Sequence, residues 1–251
     1  MCTVVILRRP GHDWPLILAT NRDEMTGRAW LPPARHWPDR AEAIAGQDVL
    51  AGGTWLGIHR NGRVAVVTNY REPITDRQPG ERSRGLLPLA FLEGSDSPEQ
   101  FCRELAEEQH HYGAFNLLVG TPESLWYIGN RGAPPQAVTP GVHGLCNGLL
   151  DDPWPKVQRA KQRLANALTV DSSPEQLMEV VNDHYQPPDS ELPDTGVGME
   201  LERLAAPVFI QSPTYGTRAS SVVELHRDRD PIMLEQGWLP DGSASGSLQR
   251  S

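Results

Sequence analysis

Directly after Cys2 the chain runs Thr3, Val4, Val5, Ile6, Leu7 without a charged or strongly polar break. A strand with one face in water alternates polar and apolar positions. This run does not, so it reads as a short strand covered on both faces. A second apolar run, "PLILAT" (15–20), ends at the polar cluster "NRDE". "TWLGIHRNGRVAVVTNY" reads as a hairpin whose Asn61-Gly62 pair suits a type I′ turn, and "AFNLLVG" with "SLWYIG" as another. "PVFI", "TRASSVVEL" and "PIML" read as late strands.

Helices lie between these blocks. "SPEQFCRELAEEQ" starts with Ser97 as N-cap, Pro98 at the first helical position and Gln100 where a capping box needs it. "SPEQLMEVVNDHY" repeats that start at Ser173, with Leu177, Val180, Val181 and His184 on one stripe. "PWPKVQRAKQRLANAL" carries Val157, Ala160, Leu164 and Leu168 on a third. Residues 186–198 read as a long irregular loop. Strands at both ends with helices between argue for an α+β layered fold, with 1–240 as one domain and 241–251 as a disordered tail.

A formal net charge of −9 on 251 residues argues against nucleic acid, which needs a clustered basic face. The three cysteines, Cys2, Cys102 and Cys146, are odd in number and too far apart for a CxxC motif. No disulfide framework, metal site or cofactor is expected, and no stretch is long enough for a membrane span. The expectation is a soluble protein of a reducing compartment, the cytoplasm.

Polar residues gather at the ends of apolar runs: Cys2, "NRDE" at 21–24, "TNY" at 68–70, "GLCNG" around Asn147, and Arg218 in "YGTRASSVV". Each has a plain structural reading. A lone buried cysteine is usually packing. Asn69 after Thr68 equally starts a turn, Asn147 before Gly148 suits a left-handed turn, and Arg218 suits a surface ion pair. Asp23 and Glu24 also fit a solvated strand end. Cys102 reads as helix packing, and Trp14, Trp30, Trp37, Trp55 and Trp126 as core aromatics or the lining of an acyl pocket.

Taken in order, "MCTVVIL", "LATNRDE", "GGTWLGI", "VVTNYRE", "RSRGLL", "FNLLVG" and "GLCNGLLDDPWPKV" resemble the NRDE family, also called the transport and Golgi organisation protein 2 family, over essentially the whole chain. The resemblance implies the N-terminal-nucleophile (Ntn) hydrolase fold, a four-layer αββα sandwich of two mostly antiparallel sheets. It further implies kinship with cysteine Ntn amidases of the bile-salt hydrolase and penicillin V acylase type.

Carried over on that resemblance, Cys2 is the nucleophile once Met1 is removed and Asp23 grips its α-amine. Asn69-Tyr70 closes a strand whose Tyr70 N–H serves the oxyanion with the Asn147 amide, and Arg218 is a late arginine near the thiol. Thr20 stands where those amidases carry an arginine. Arg22 is carried as an oxyanion or substrate-binding candidate, although, next to Asp23 in an extended strand, it is expected to face away from the thiol.

An α-amine has a pKa of about 7.7–8.0, so it can take the proton of a thiol on the same residue without a histidine. The function implied is hydrolysis of a linear amide or thioester through an S-acyl enzyme, on a small-molecule acyl substrate or lipid-like ligand. The alternative is non-catalytic handling of an acyl-thioester, lipid or haem on the same fold.

Overall fold

In the computed structural model, which describes residues 2–40, 42–78, 80–132, 134–168 and 173–251, the apolar run after Cys2 is an inner strand of a six-stranded antiparallel sheet. That sheet contains β1 (Cys2–Arg8), β2 (Leu16–Met25), β10 (Gly141–Leu145), β11 (Tyr215–Leu225), β12 (Ile232–Gly237) and β13 (Gln249–Arg250), in the order β10-β1-β2-β11-β12-β13. A second sheet is an antiparallel meander in chain order: β3 (Trp30–Ala34), β4 (Ala43–Asp48), β5 (Leu56–His59), β6 (Val64–Asn69), β7 (Phe115–Gly120), β8 (Leu125–Gly129) and β9 (Gln136–Ala137).

The double-sided burial of β1 follows from its place between two layers. Val4 and Ile6 join Leu16, Leu18 and Val223 in a core facing Leu56, Val66 and Leu118 of the second sheet. Val5 and Leu7 face the other way, onto α3 (Pro155–Ala167) and α4 (Pro174–Met178), through Ala160, Leu164 and Leu177. The second sheet is covered on its own outer face by α1 (Leu86–Glu93) and α2 (Pro98–Glu108), through Phe91, Leu92, Cys102 and Leu105. The result is the four-layer αββα sandwich. A short α5 (Met199–Leu204) follows the irregular stretch 186–198.

Several local expectations need correction. The Asn61-Gly62 hairpin forms, but only Gly62 has a positive φ (+86°), so the turn is not type I′, which needs positive φ at both central residues. "PVFI" is buried but is not a strand. Its backbone serves other groups instead: Val208 O accepts from Asn21 Nδ2 at 2.9 Å, and Phe209 N donates to Asp183 O. The Ser173 helix has its full capping box but stops at Met178, so His184 lies beyond it and stacks on Phe209 instead. At Ser97 the hydroxyl accepts from Gln100 N, while the Gln100 side chain turns to Glu104. The tail is exposed but not structureless, since Gln249–Arg250 pairs with Leu234 and Glu235.

Candidate active site

Strand β2 does not stop at the apolar run but continues through the whole of "NRDE" to Met25. Cys2 pairs directly with Arg22 across the β1–β2 ladder. Residues paired across a sheet point to the same face, so Arg22 shares the inter-sheet side with Cys2. This corrects the expectation that Arg22 faces away from the thiol. Asn21 and Asp23 are the pair that point outward, towards the α3–α4 layer. Asp23 still reaches the sulfur, through its backbone N–H, which hydrogen-bonds Cys2.

The surroundings hold these groups firmly. The Arg22 guanidinium lies 4.4 Å from the Trp55 ring centroid and 5.9 Å from that of Trp30, with Nη2 3.9 Å from Asp48. Asp48 is itself fixed by Arg28 Nε at 2.7 Å. Stacking on indole faces keeps an arginine charged and oriented while removing it from water. Thr217 Oγ1 donates to Asp23 Oδ1 at 2.7 Å, and the Tyr215 hydroxyl donates to Asp23 O at 3.2 Å. Asn21, fully buried, donates to Val181 O and Val208 O and accepts from Ser220 Oγ, which ties β2 to the segments packed on its outer side.

Cys2 is half-buried at the wall of a cavity of about 310 Å³, lined also by Arg22, Asp23, Thr54, Trp55 and Asn69. Burial pushes its thiol up, and the Asp23 charge adds to this. The Asp23 N–H and the Arg22 charge pull it down by favouring thiolate. Burial likewise raises Asp23, against the opposing pull of Lys156, the Thr217 hydroxyl and Arg22.

Lys156 is a participant that sequence reading missed. It is buried at the start of α3, donates Nζ to Ala205 O at 2.9 Å, and is lowered by burial while Asp23 draws it back up. The available signal was a charged residue four positions before Ala160, on that helix's apolar stripe.

Of the expected oxyanion donors, the Tyr70 N–H and one N–H of the Asn147 amide are engaged elsewhere. Tyr70 N donates to Ala114 O at 3.3 Å, and Asn147 Nδ2 donates to Asn69 O at 2.7 Å. Asn147 is fully buried in a turn pinned to the second sheet: Thr68 Oγ1 donates to Cys146 O at 2.8 Å, and Asn116 Nδ2 to Gly148 O at 2.8 Å. Asn69, by contrast, is exposed and lines both this cavity and a neighbouring one.

Arg218 is not brought to the thiol. It is the extra residue of a β-bulge, between Thr217 paired with Asp23 and Ala219 paired with Arg22, and it lines neither cavity. Cys102 and Cys146 are buried, the former with its thiol pushed up to about 12. Of the five tryptophans considered, Trp55 lines the cavity, and Trp30 reaches the site through Arg22. Met1 lies outside the described residues. Among the described residues no group of three or more His, Cys, Asp or Glu is placed to hold a metal ion, and no helix is long and apolar enough to cross a membrane.

Residues 1–240 match the family model described as Transport and Golgi organisation 2. The chain is 36% identical over 247 residues to the Transport and Golgi organization 2 homolog of Mus musculus, covering 91% of this chain and 88% of that one. It is likewise 36% identical to the corresponding protein of Homo sapiens, with the same coverage. Among solved structures it resembles the conjugated bile acid hydrolase of Clostridium perfringens. Two variants give TM-scores of 0.58 and 0.54 at 8% identity, covering 100% of this chain and 92% of theirs. That likeness establishes the Ntn-hydrolase fold.

Proposed function

Because the chain belongs to the Transport and Golgi organisation 2 family, we propose that on this Ntn-hydrolase fold it acts as an N-terminal-cysteine hydrolase of a linear amide or thioester. The observation that carries this reading is the placement of Cys2: at the start of β1, open to a cavity, opposite a charged Arg22 and hydrogen-bonded by the Asp23 N–H.

Once Met1 is removed, the α-amine of Cys2 takes the thiol proton and the thiolate attacks the substrate carbonyl carbon. The amine or thiol leaving group departs with the proton held by the ammonium, leaving an S-acyl enzyme. Water then attacks the acyl carbon as the α-amine takes its proton. The carboxylic acid departs, and the sulfur recovers its proton. Arg22 and the Asp23 N–H favour the thiolate, and Asp23 orients the amine. The Tyr70 N–H and one Asn147 amide N–H are bound within the protein, which leaves the second Asn147 amide N–H and Asn69, both of which line the adjoining cavities, to serve the oxyanion. Losing such a donor costs on the order of a hundredfold in rate.

Intact mass before and after exposure to an activated acyl thioester tests the reading. The expected result is a protein lacking Met1 that gains one acyl group, while Cys2→Ala gains none. Retained Met1 on active material, or acylation of Cys2→Ala at the wild-type rate, overturns it. The bonds already made by the Tyr70 N–H and by one N–H of the Asn147 amide favour a second reading, a protein that binds an acyl compound without turnover. Equal binding by wild type and Cys2→Ala, with product from neither, would select that one.

A further inference from the structure

The cavity at Cys2 adjoins a larger one of about 630 Å³, and Asn69, Ser83 and Arg84 line both. Its charged lining consists of Arg71, Glu72, Arg77, Glu81, Arg82 and Arg84. Three of these pair with an opposite charge, and Glu81 meets a histidine. Arg71 pairs with the buried Glu202, and Glu72 with Arg131 at 2.9 Å. Glu81 meets His111 at 2.8 Å, and Arg82 meets Glu108 at 2.7 Å.

The remaining two are both arginines. Arg77 is exposed and makes no ion pair or side-chain hydrogen bond among the described residues. Arg84 is half-buried, and its hydrogen bond is to a backbone carbonyl, Ala114 O at 2.7 Å. A guanidinium withdrawn from water without a carboxylate is an unfavourable arrangement that an incoming anion relieves. Glu24 and Glu72 act on Arg84 from a distance more strongly than Arg77 and Arg28 do, but neither carboxylate forms an ion pair with it. On a chain of net charge −9, two arginines with no salt-bridging carboxylate beside the nucleophile's cavity are set against the general trend.

We propose that Arg84 and Arg77 form an anion subsite, so that the substrate places its reacting carbonyl at Cys2 and a carboxylate or phosphate group in the larger cavity. The assignment of a reacting carbonyl rests on the hydrolase reading; the anion subsite itself does not.

Three hexanoyl thioesters serve as probes: those of 2-mercaptoethanol, 3-mercaptopropionate and 2-mercaptoethyl phosphate. Binding is measured by isothermal titration on Cys2→Ala, and turnover by thiol release from the wild type. The expected result is that Cys2→Ala binds an anionic probe about tenfold or more tightly than the neutral one, the scale of one charge-assisted hydrogen bond. Adding Arg84→Gln or Arg77→Gln removes most of that preference, and Arg84→Lys keeps part of it. Tighter binding of the phosphate probe identifies a phosphorylated ligand, and tighter binding of the carboxylate probe an acid.

Arg77→Gln, at an exposed side chain, decides the matter if Arg84→Gln loses its fold. Equal binding of all three probes overturns the subsite, as does a preference that survives both arginine changes. Anion-selective binding with no thiol release sinks the hydrolase and leaves the subsite standing. Turnover of neutral and anionic probes at equal kcat/KM does the reverse.

Discussion

Glu235 offers the sharpest quantitative test of the fold's interior. It stands on the inter-sheet side of β12, paired with Ser221, whose hydroxyl donates to Oε2 at 2.8 Å, while Oε1 is buried without a hydrogen-bond partner. Burial carries its pKa from 4.5 to about 7, against the Ser221 bond and the Arg22 charge. Unfolded, the group loses its proton near 4.5; folded, it keeps it to about 7. The native state therefore binds more protons across that window, and stability falls as pH rises through it.

At about 1.4 kcal/mol per pH unit, the displacement amounts to a penalty of about 3 kcal/mol above pH 7 and none below pH 4.5. Glu235→Gln keeps the shape and removes the charge. Relative to wild type it should gain about 3 kcal/mol on going from pH 4.5 to pH 8, whatever the fixed offset between the two proteins. In melting temperature the relative gain is about 6–12 °C for a chain of this size. Urea unfolding of both proteins at pH 4.5, 6 and 8 supplies the comparison. A difference between variant and wild type that stays flat over this range refutes the reasoning.

Other outcomes follow from single contacts. Asn21→Ala strands the carbonyls of Val181 and Val208 and should cost about 3 kcal/mol, read from the urea midpoint. Arg71→Met leaves Glu202 buried without its cation and should cost about 3–5 kcal/mol; adding Glu202→Gln should restore a measurable part, and no restoration would show the pair to be irrelevant. Thr217→Val removes a bond that holds the Asp23 pKa down, so the acidic limb of a kcat/KM profile should move to higher pH. An unmoved limb would separate Asp23 from the titration that governs rate.

The layered fold was legible because its signals are periodic and local. The run 3–7 must be covered on both faces, and the SPEQ caps announce two helix starts even where the helix is short. Side-chain direction was harder to read. Whether Arg22 meets Cys2 depends on register, and register is fixed by pairing across the sheet rather than by neighbours in sequence. Tyr70 and Asn147 were assigned as donors without sight of their partners, Ala114 O and Asn69 O, which are remote in the chain. Lys156 was hidden for a similar reason. A lysine on an apolar stripe looks like a solvated edge until Asp23 is found beside it.

The bulge at Arg218 has a structural consequence beyond the site. In an unbroken strand, residues two apart share a side, yet Thr217 pairs with outward Asp23 while Ala219 pairs with inward Arg22. The additional residue resets the phase, letting one end of β11 serve the carboxylate while the rest keeps Ser221 and Val223 turned to the interior. Deleting Arg218 would then leave a regular ladder with both partnerships preserved. Inserting a single residue between Ala219 and Val223 would turn half the strand inside out. The family's tolerance for length changes here should accordingly be one-sided, with shortening admitted at this position and lengthening just beyond it forbidden.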